Sequence, residues 1–317
     1  MSERLQPGFT VNTINGNNIV VQGFLEAGGQ GAIYLINYNG SQKALKWLKS
    51  DIKEKERFYE IIRRMVKNGV PSTQFLWPLD ITGQMEDGAF GYVMDLCPEG
   101  YHEMTEYLVD RTRLESESAI VNAAIEITAS FCALHTCGYS WQAIYEGNFF
   151  INPKNGKTVI SFDTGGILPD EVKTNIIGKC RYMAPEIVLG NDIHSFLSDR
   201  FSMAVILYIL FCQGHPLEGK RNLNSIILTP ETERILYGID PIFVMNPNNK
   251  KNSPHPVIHK KSIRLWSQLP IYIQHMFIDA FSCQALQIPS SRPSESTWLE
   301  VLKRFKKDIA MGFYRLV

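Results

Sequence analysis

GYSWQAIYEGNFFINPKNGKTVISFDTGG, residues Gly138–Gly166, is the stretch from which the rest of the chain is read. It reads as a short loop, a strand, a turn and a second strand. Asn148 stands just before the apolar run Phe149-Phe150-Ile151, and Asp163 closes the run TVISF. A side-chain amide and a carboxylate at adjacent strand ends can share one divalent cation. Mg²⁺ keeps part of its water shell and takes few protein ligands, so such a pair suits a site completed by substrate phosphates.

Towards the N-terminus, residues 9–24 alternate in hydropathy around an Asn-Gly turn and predict a hairpin. The following segment, LEAGGQGAIYLINYNGSQKALKWLK, holds Gly28, Gly29 and Gly31, an alternating strand, the turn Asn39-Gly40 and a second strand that carries Ala44 and Lys46 on one face. A glycine-rich hairpin lets backbone N–H groups approach phosphate oxygens. This one follows a strand and opens a strand, which argues against a dinucleotide fingerprint. Residues 52–68 predict an amphipathic helix with the stripe Phe58, Ile61, Ile62 and Met65. FLWPLDITGQMEDGAFGYVMDL predicts two strands turned at Glu86-Asp87-Gly88 and ending in Met94-Asp95-Leu96-Cys97-Pro98.

From Tyr101 the periodicity lengthens to helical. TEYLVD and ESESAIVNAAIEITASFCALHTCG predict a short and a long helix, the second capped by Gly138. The run 203–212, MAVILYILFC, is too short for a bilayer, which needs about 20 residues, and predicts a fully buried helix with Asp199 near its head. Residues 245–262 read as a polar loop, and two more helices are expected around Leu269–Phe281 and Ser294–Ile309.

The 317 residues carry 32 basic and 32 acidic side chains, a net charge of zero that gives no support for nucleic-acid or anionic-membrane binding. The six cysteines, Cys97, Cys132, Cys137, Cys180, Cys212 and Cys283, contain no Cys-x-x-Cys pair. A zinc site or disulfide scaffold is therefore not expected, and a reduced, cytoplasmic protein without a membrane span is.

Read together, these segments resemble the protein kinases. Asn148, Asp163 and Gly165 match the catalytic-loop Asn and the Asp-x-Gly of that family. Against its Gly-x-Gly-x-x-Gly-x-Val loop, the first Gly is Glu26, the second Gly28, the third Gly31, and the Val position is Ile33. Met183-Ala184-Pro185-Glu186 matches Ala-Pro-Glu, and Arg292-Pro293 supplies the arginine expected to pair with Glu186. Segments like GYSYQDxxxGNFFIDP, GKCRYMAPE and HPLEGKR recur in bacterial Ser/Thr kinase-like proteins and match Gly138–Pro153, Gly178–Glu186 and His215–Arg221.

The resemblance implies an α+β, bilobal protein-kinase-like fold, with a small antiparallel-sheet lobe over residues 1–97 and a larger helical lobe over 98–317. It implies ATP and Mg²⁺ as cofactors and a protein substrate with a Ser/Thr acceptor. A cognate phosphatase is a further implied partner. Gly28, Gly29, Gly31, Ile33, Ala44, Lys46, Met94, Asp95 and Cys97 become the nucleotide-binding set, with Lys46 on the α- and β-phosphates and the backbone of Asp95 and Cys97 on adenine. Asn148 and Asp163 become the metal ligands, and Asp199 the brace of the catalytic loop. A carboxylate on the helix after Lys46 should hold that lysine. Glu60 is taken for its distance, Glu54 is better in phase with the stripe, and Glu56 is a third option.

The chain departs from the family at one decisive place. The catalytic Asp should lie five residues before Asn148, and that position is Ala143. His-Arg-Asp is thus Trp141-Gln142-Ala143, the lysine two residues on is Tyr145, and the Phe of Asp-Phe-Gly is Thr164. Without the arginine, switching by phosphorylation at Thr174 is not expected. Alanine cannot orient an acceptor hydroxyl or take its proton. Either a catalytic aspartate has been replaced to silence a working kinase, or the chain is a natural pseudokinase acting as a nucleotide-binding scaffold. Retention of every nucleotide-side residue type favours the first.

Overall fold

The computed structural model of the chain describes residues 4–28, 31–48, 55–161, 166–172, 178–224 and 229–314. The chain packs into two units: Met1–Glu99 with Ile160–Gly165, and Gly100–Val159 with Gly166–Val317.

The first unit is built on a six-stranded antiparallel sheet: β1 (Thr10–Asn12), β2 (Asn18–Ala27), β3 (Gly31–Tyr38), β4 (Ser41–Leu48), β5 (Asp80–Ile81) and β6 (Phe90–Met94), in the order β1-β2-β3-β4-β6-β5. Asn39 and Gly40, at φ 52° and 80°, make the tight β3–β4 turn expected of Asn-Gly. Pairing from Gly31↔Leu48 to Tyr38↔Ser41 is unbroken, so residues of equal parity share a face. One face packs Tyr34, Ile36, Leu45, Trp47 and Val93 into a core with Ile19 and Val21. Gly31 is glycine because a Cβ there would sit 2.2 Å from the Trp47 carbonyl oxygen on β4. Helix α1 (Lys55–Asn68) buries Phe58, Ile62 and Met65. It docks through Tyr59, whose ring meets Phe90 edge-on at 5.0 Å and whose hydroxyl donates to the Thr82 carbonyl.

Ile160 belongs to this first unit although the chain has by then run through much of the second. It bridges to Phe75, donates its N–H to the Gln74 carbonyl at 2.8 Å, and accepts from the Leu76 N–H at 2.9 Å. The units are therefore not the two contiguous pieces 1–97 and 98–317. Backbone hydrogen bonding draws a distant segment back to finish the first.

The second unit holds β7 (His102–Glu103), α2 (Met104–Leu108), α3 (Glu117–Thr136), β8 (Tyr139–Trp141), β9 (Phe149–Ile151), β10 (Thr158–Ile160, whose last residue counts with the first unit) and β11 (Ile167–Pro169). After these come α4 (Pro185–Val188), α5 (Phe196–Cys212), α6 (Pro230–Glu233), α7 (Lys260–Gln268), α8 (Ile271–Ala280), α9 (Cys283–Gln287) and α10 (Glu295–Ala310). Strands β10-β9-β7 form one small sheet and β11-β8 another. Every residue of 203–212 in α5 is buried, as the unbroken apolar run predicts. Helix α3 is long and apolar enough to cross a membrane. In this fold its residues Val121, Ala124, Ile127, Phe131 and Leu134 are buried instead, and it packs against α5 and α10. Helix α7 begins at Lys260, inside the segment expected to be loop, and the short α9 was not expected from the sequence.

Candidate active site

In the first unit, register brings the expected nucleotide residues to one face. Ile33 pairs with Lys46, Lys46 with Tyr92, and Ala44 with Met94. All lie on the face opposite the Tyr34–Leu45–Val93 core, because each is one residue out of step with it. Ala44 and Met94 are buried, and Lys46 is only 7% exposed. An amine is expensive to bury unless its charge is used. Beyond the end of β6, Asp95 is exposed and its carboxylate pairs with Lys43. Cys97 is half-buried, and burial pushes its thiol pKa up. Among the described residues, neither the Asp95 carbonyl nor the Cys97 N–H takes part in a backbone–backbone hydrogen bond. A Cβ on Gly28 would meet nothing within 4 Å, so packing does not require that glycine as it does Gly31.

Glu60 is not placed as expected. Its side chain is 63% exposed and lies 3.4 Å from the Arg63 guanidinium. The helix turns it away from the stripe Phe58, Ile62 and Met65, so it serves a surface pair and not Lys46. Glu56 is also exposed. Glu54, Gly29, Asp163, Thr164, Gly165 and Thr174 lie outside the described residues.

In the second unit, Ala143 sits half-buried in the turn after β8, and Asn148 ends a single 3₁₀ turn, Glu146–Asn148. Asn148 is buried. Its Oδ1 accepts the Tyr145 N–H at 2.9 Å. A carbonyl oxygen has two lone pairs, so the amide can cap this turn and still offer one to a cation. Among the described residues, no three His, Cys, Asp or Glu side chains cluster as a metal site.

The turn bearing Ala143 is braced from below. Asp199 Oδ2 accepts the Trp141 N–H at 2.6 Å. His135 bonds Asp199 through Nε2 at 3.1 Å and Glu295 through Nδ1 at 3.0 Å, and Arg200 completes the group on Glu295. Burial alone would lower the His135 pKa, but the two carboxylates outweigh it and raise it to about 9. Burial likewise acts to raise Glu295, yet the bonds from His135 and Arg200 hold it at about 2. His135 is therefore an imidazolium at neutral pH, donating from both nitrogens. Arg292 makes the expected buried fork with Glu186, at 2.7 and 2.6 Å, and also donates to the carbonyls of Leu197 and Ala285.

The segment before Ala184-Pro185-Glu186 is tied to the same loop. Gly178 packs so closely on Gln142 that a Cβ would lie 2.7 Å from its carbonyl oxygen. The Tyr182 hydroxyl bonds Glu146. Arg181 pairs with Glu218 at 3.1 Å, and His215 Nε2 donates to the Arg181 carbonyl at 2.7 Å. Burial lowers the His215 pKa to about 4, so the ring is neutral, with Nδ1 accepting from Leu217 N–H.

A glycine-edged antiparallel sheet with one buried lysine, followed by an asparagine turn braced from a buried helix and a Glu-Arg fork, defines a phosphotransferase-like class of fold. The profile of the protein kinase domain matches residues 27–276, and the chain belongs to that family. Serine/threonine-protein kinase kin-29 of Caenorhabditis elegans is 24% identical over 220 residues, covering 66% of this chain and 25% of that protein. Calcium-dependent protein kinase 16 of Oryza sativa subsp. japonica is 33% identical over 150 residues, 45% of this chain and 26% of that protein. Maternal embryonic leucine zipper kinase of Xenopus laevis is 28% identical over 152 residues, 46% of this chain and 22% of that protein. The chain thus spans about a quarter of the length of these curated relatives.

Proposed function

We propose that the chain is an ATP- and Mg²⁺-dependent Ser/Thr protein kinase in which Ala143 stands at the position of the catalytic aspartate, so that this form transfers no phosphate. The observation that carries the reading is the shared sheet face of Ile33, Ala44, Lys46 and Met94, with its buried amine. Ala44 and Met94 give an apolar platform suited to a purine. The Asp95 carbonyl and Cys97 N–H can accept and donate along its edge, and the glycines Gly28, Gly29 and Gly31 suit the phosphates. Lys46 neutralises the α- and β-phosphates, and Asn148 with Asp163 holds Mg²⁺, which shields the charge of the phosphate chain. Glu54, four residues before Phe58 and in phase with the buried stripe, replaces Glu60 as the carboxylate assigned to Lys46.

The residue at 143 decides whether transfer follows binding. A carboxylate there would orient the acceptor hydroxyl and receive its proton, a contribution of about 10²–10⁴-fold. The test is Ala143→Asp with radiolabelled ATP. Phosphate incorporation should appear in the substituted chain and be absent from the unaltered one. Binding of nucleotide by both, with incorporation in neither, would make the chain a nucleotide-binding scaffold instead. The bacterial affiliation rests on the resemblance of Gly138–Pro153, Gly178–Glu186 and His215–Arg221, and the cytoplasmic location and phosphatase partner belong to the same proposal.

A further inference from the structure

The loop Trp141–Asn148, WQAIYEGN, contains no lysine or arginine. A phosphoryl group in transfer spreads negative charge over its outer oxygens, and fixed cations aimed there lower the barrier most. The loop that should face that group therefore supplies no positive charge of its own. One arrives from 34 residues further along the chain: the Lys179 ammonium lies over the Tyr145 ring, 3.8 Å from its centroid.

The placement of Lys179 is built from both sides. Gly178, immediately before it, is pressed on the Gln142 carbonyl, where no side chain fits. Tyr182, three residues after it, bonds Glu146. The neighbouring cation Arg181 is spent on Glu218. Lys179 differs: among the described residues it has no carboxylate partner, and an aromatic face is what holds it. A ring attracts an ammonium without neutralising its charge, so the cation is positioned and still available to an anion.

We propose that Lys179 is the positioning cation for the transferring phosphate, delivered across to the loop by Tyr145. The assignment rests on the nucleotide-binding reading above. In the transfer, the acceptor oxygen bonds the γ-phosphorus while the bond to the β–γ bridging oxygen breaks. That oxygen keeps the electron pair and leaves on ADP. The acceptor proton passes to the carboxylate at 143 in the Ala143→Asp chain. Lys179 changes none of this balance; it offsets charge on the non-bridging oxygens.

The first readout needs no turnover and uses the chain with Ala143. Thermal shifts are measured with Mg²⁺-ADP and Mg²⁺-ATP for the unaltered chain, Lys179→Met, and Lys179→Met with Tyr145→Lys, which returns an ammonium to the same place. The ADP shift should be equal in all three and doubles as a check on folding. The additional shift from ATP over ADP should vanish in Lys179→Met and return in the double variant. An ATP increment that survives Lys179→Met overturns the proposal. Absence of any shift in the unaltered chain overturns the nucleotide reading itself, and this assignment with it. In the Ala143→Asp chain, Lys179→Met should slow transfer by about 10²-fold, with recovery in the chain that also carries Tyr145→Lys.

Discussion

At the scale of single residues, two buried charge groups brace the second unit, and both can be measured. Arg292 has 1% of its side chain exposed and satisfies both Glu186 oxygens and two backbone carbonyls. Removing one partner of such a pair strands the other, so Arg292→Ala should cost about 3–5 kcal/mol in denaturant unfolding. Lysine, lacking the fork, should recover only part of that loss. His135 makes a pH prediction. Its folded pKa, about 9, lies above the ordinary 6.5, so its contribution is complete below pH 6.5 and is lost as pH rises through 9. Thermal unfolding across that window should show a decline of roughly 3 kcal/mol. His135→Gln should flatten the curve. The Arg292–Glu186 pair was legible because its two short motifs are distinctive. His135 was not, because a histidine on an apolar helix carries no local sign that Asp199 and Glu295 will meet it. Lys179 was hidden for the same reason: its partner is remote in the chain.

The strands and helices were legible where periodicity was strong and turn chemistry explicit. The hairpins at Asn15-Gly16 and Asn39-Gly40 came directly from left-handed turn residues, at φ 81° for Gly16 and 52° and 80° for Asn39 and Gly40. Helix α1 was predicted, yet its carboxylate was misassigned. Distance along the chain favoured Glu60, while the phase set by Phe58, Ile62 and Met65 turned that residue to solvent. Short elements such as α9 and β11 carry too few residues for a period and are made by tertiary packing. The glycine-rich hairpin separates two jobs that sequence alone merges. Gly31→Ala should destabilise the sheet by about 1–3 kcal/mol, since its methyl meets the β4 backbone. Gly28→Ala should leave unfolding unchanged and alter nucleotide affinity alone. Paired melting curves and nucleotide titrations distinguish them, and equal destabilisation by both would remove the reason for assigning Gly28 to a ligand.

For the whole molecule, the ordered series of motifs was enough to read the protein kinase family. The division into units was only partly readable, because a backbone bridge such as Phe75–Ile160 leaves no trace in composition. The cheapest global check is ligand-linked stability. Mg²⁺-ATP at a hundred times its dissociation constant should add about 2.7 kcal/mol to folding, seen as a raised Tm. No rise at millimolar nucleotide would count against the kinase and scaffold readings together.

The return of Ile160 to the first unit also bears on how the polypeptide emerges during synthesis. A ribosome that has made residue 99 still has 61 residues to add before residue 160 exists (160 minus 99), a wait of roughly 3–12 s at about 5–20 residues per second. For that interval Gln74 and Leu76 present unmatched backbone groups to whatever the cell offers. The first unit is thus finished late, by a piece delivered only after α3 and β9 have been translated.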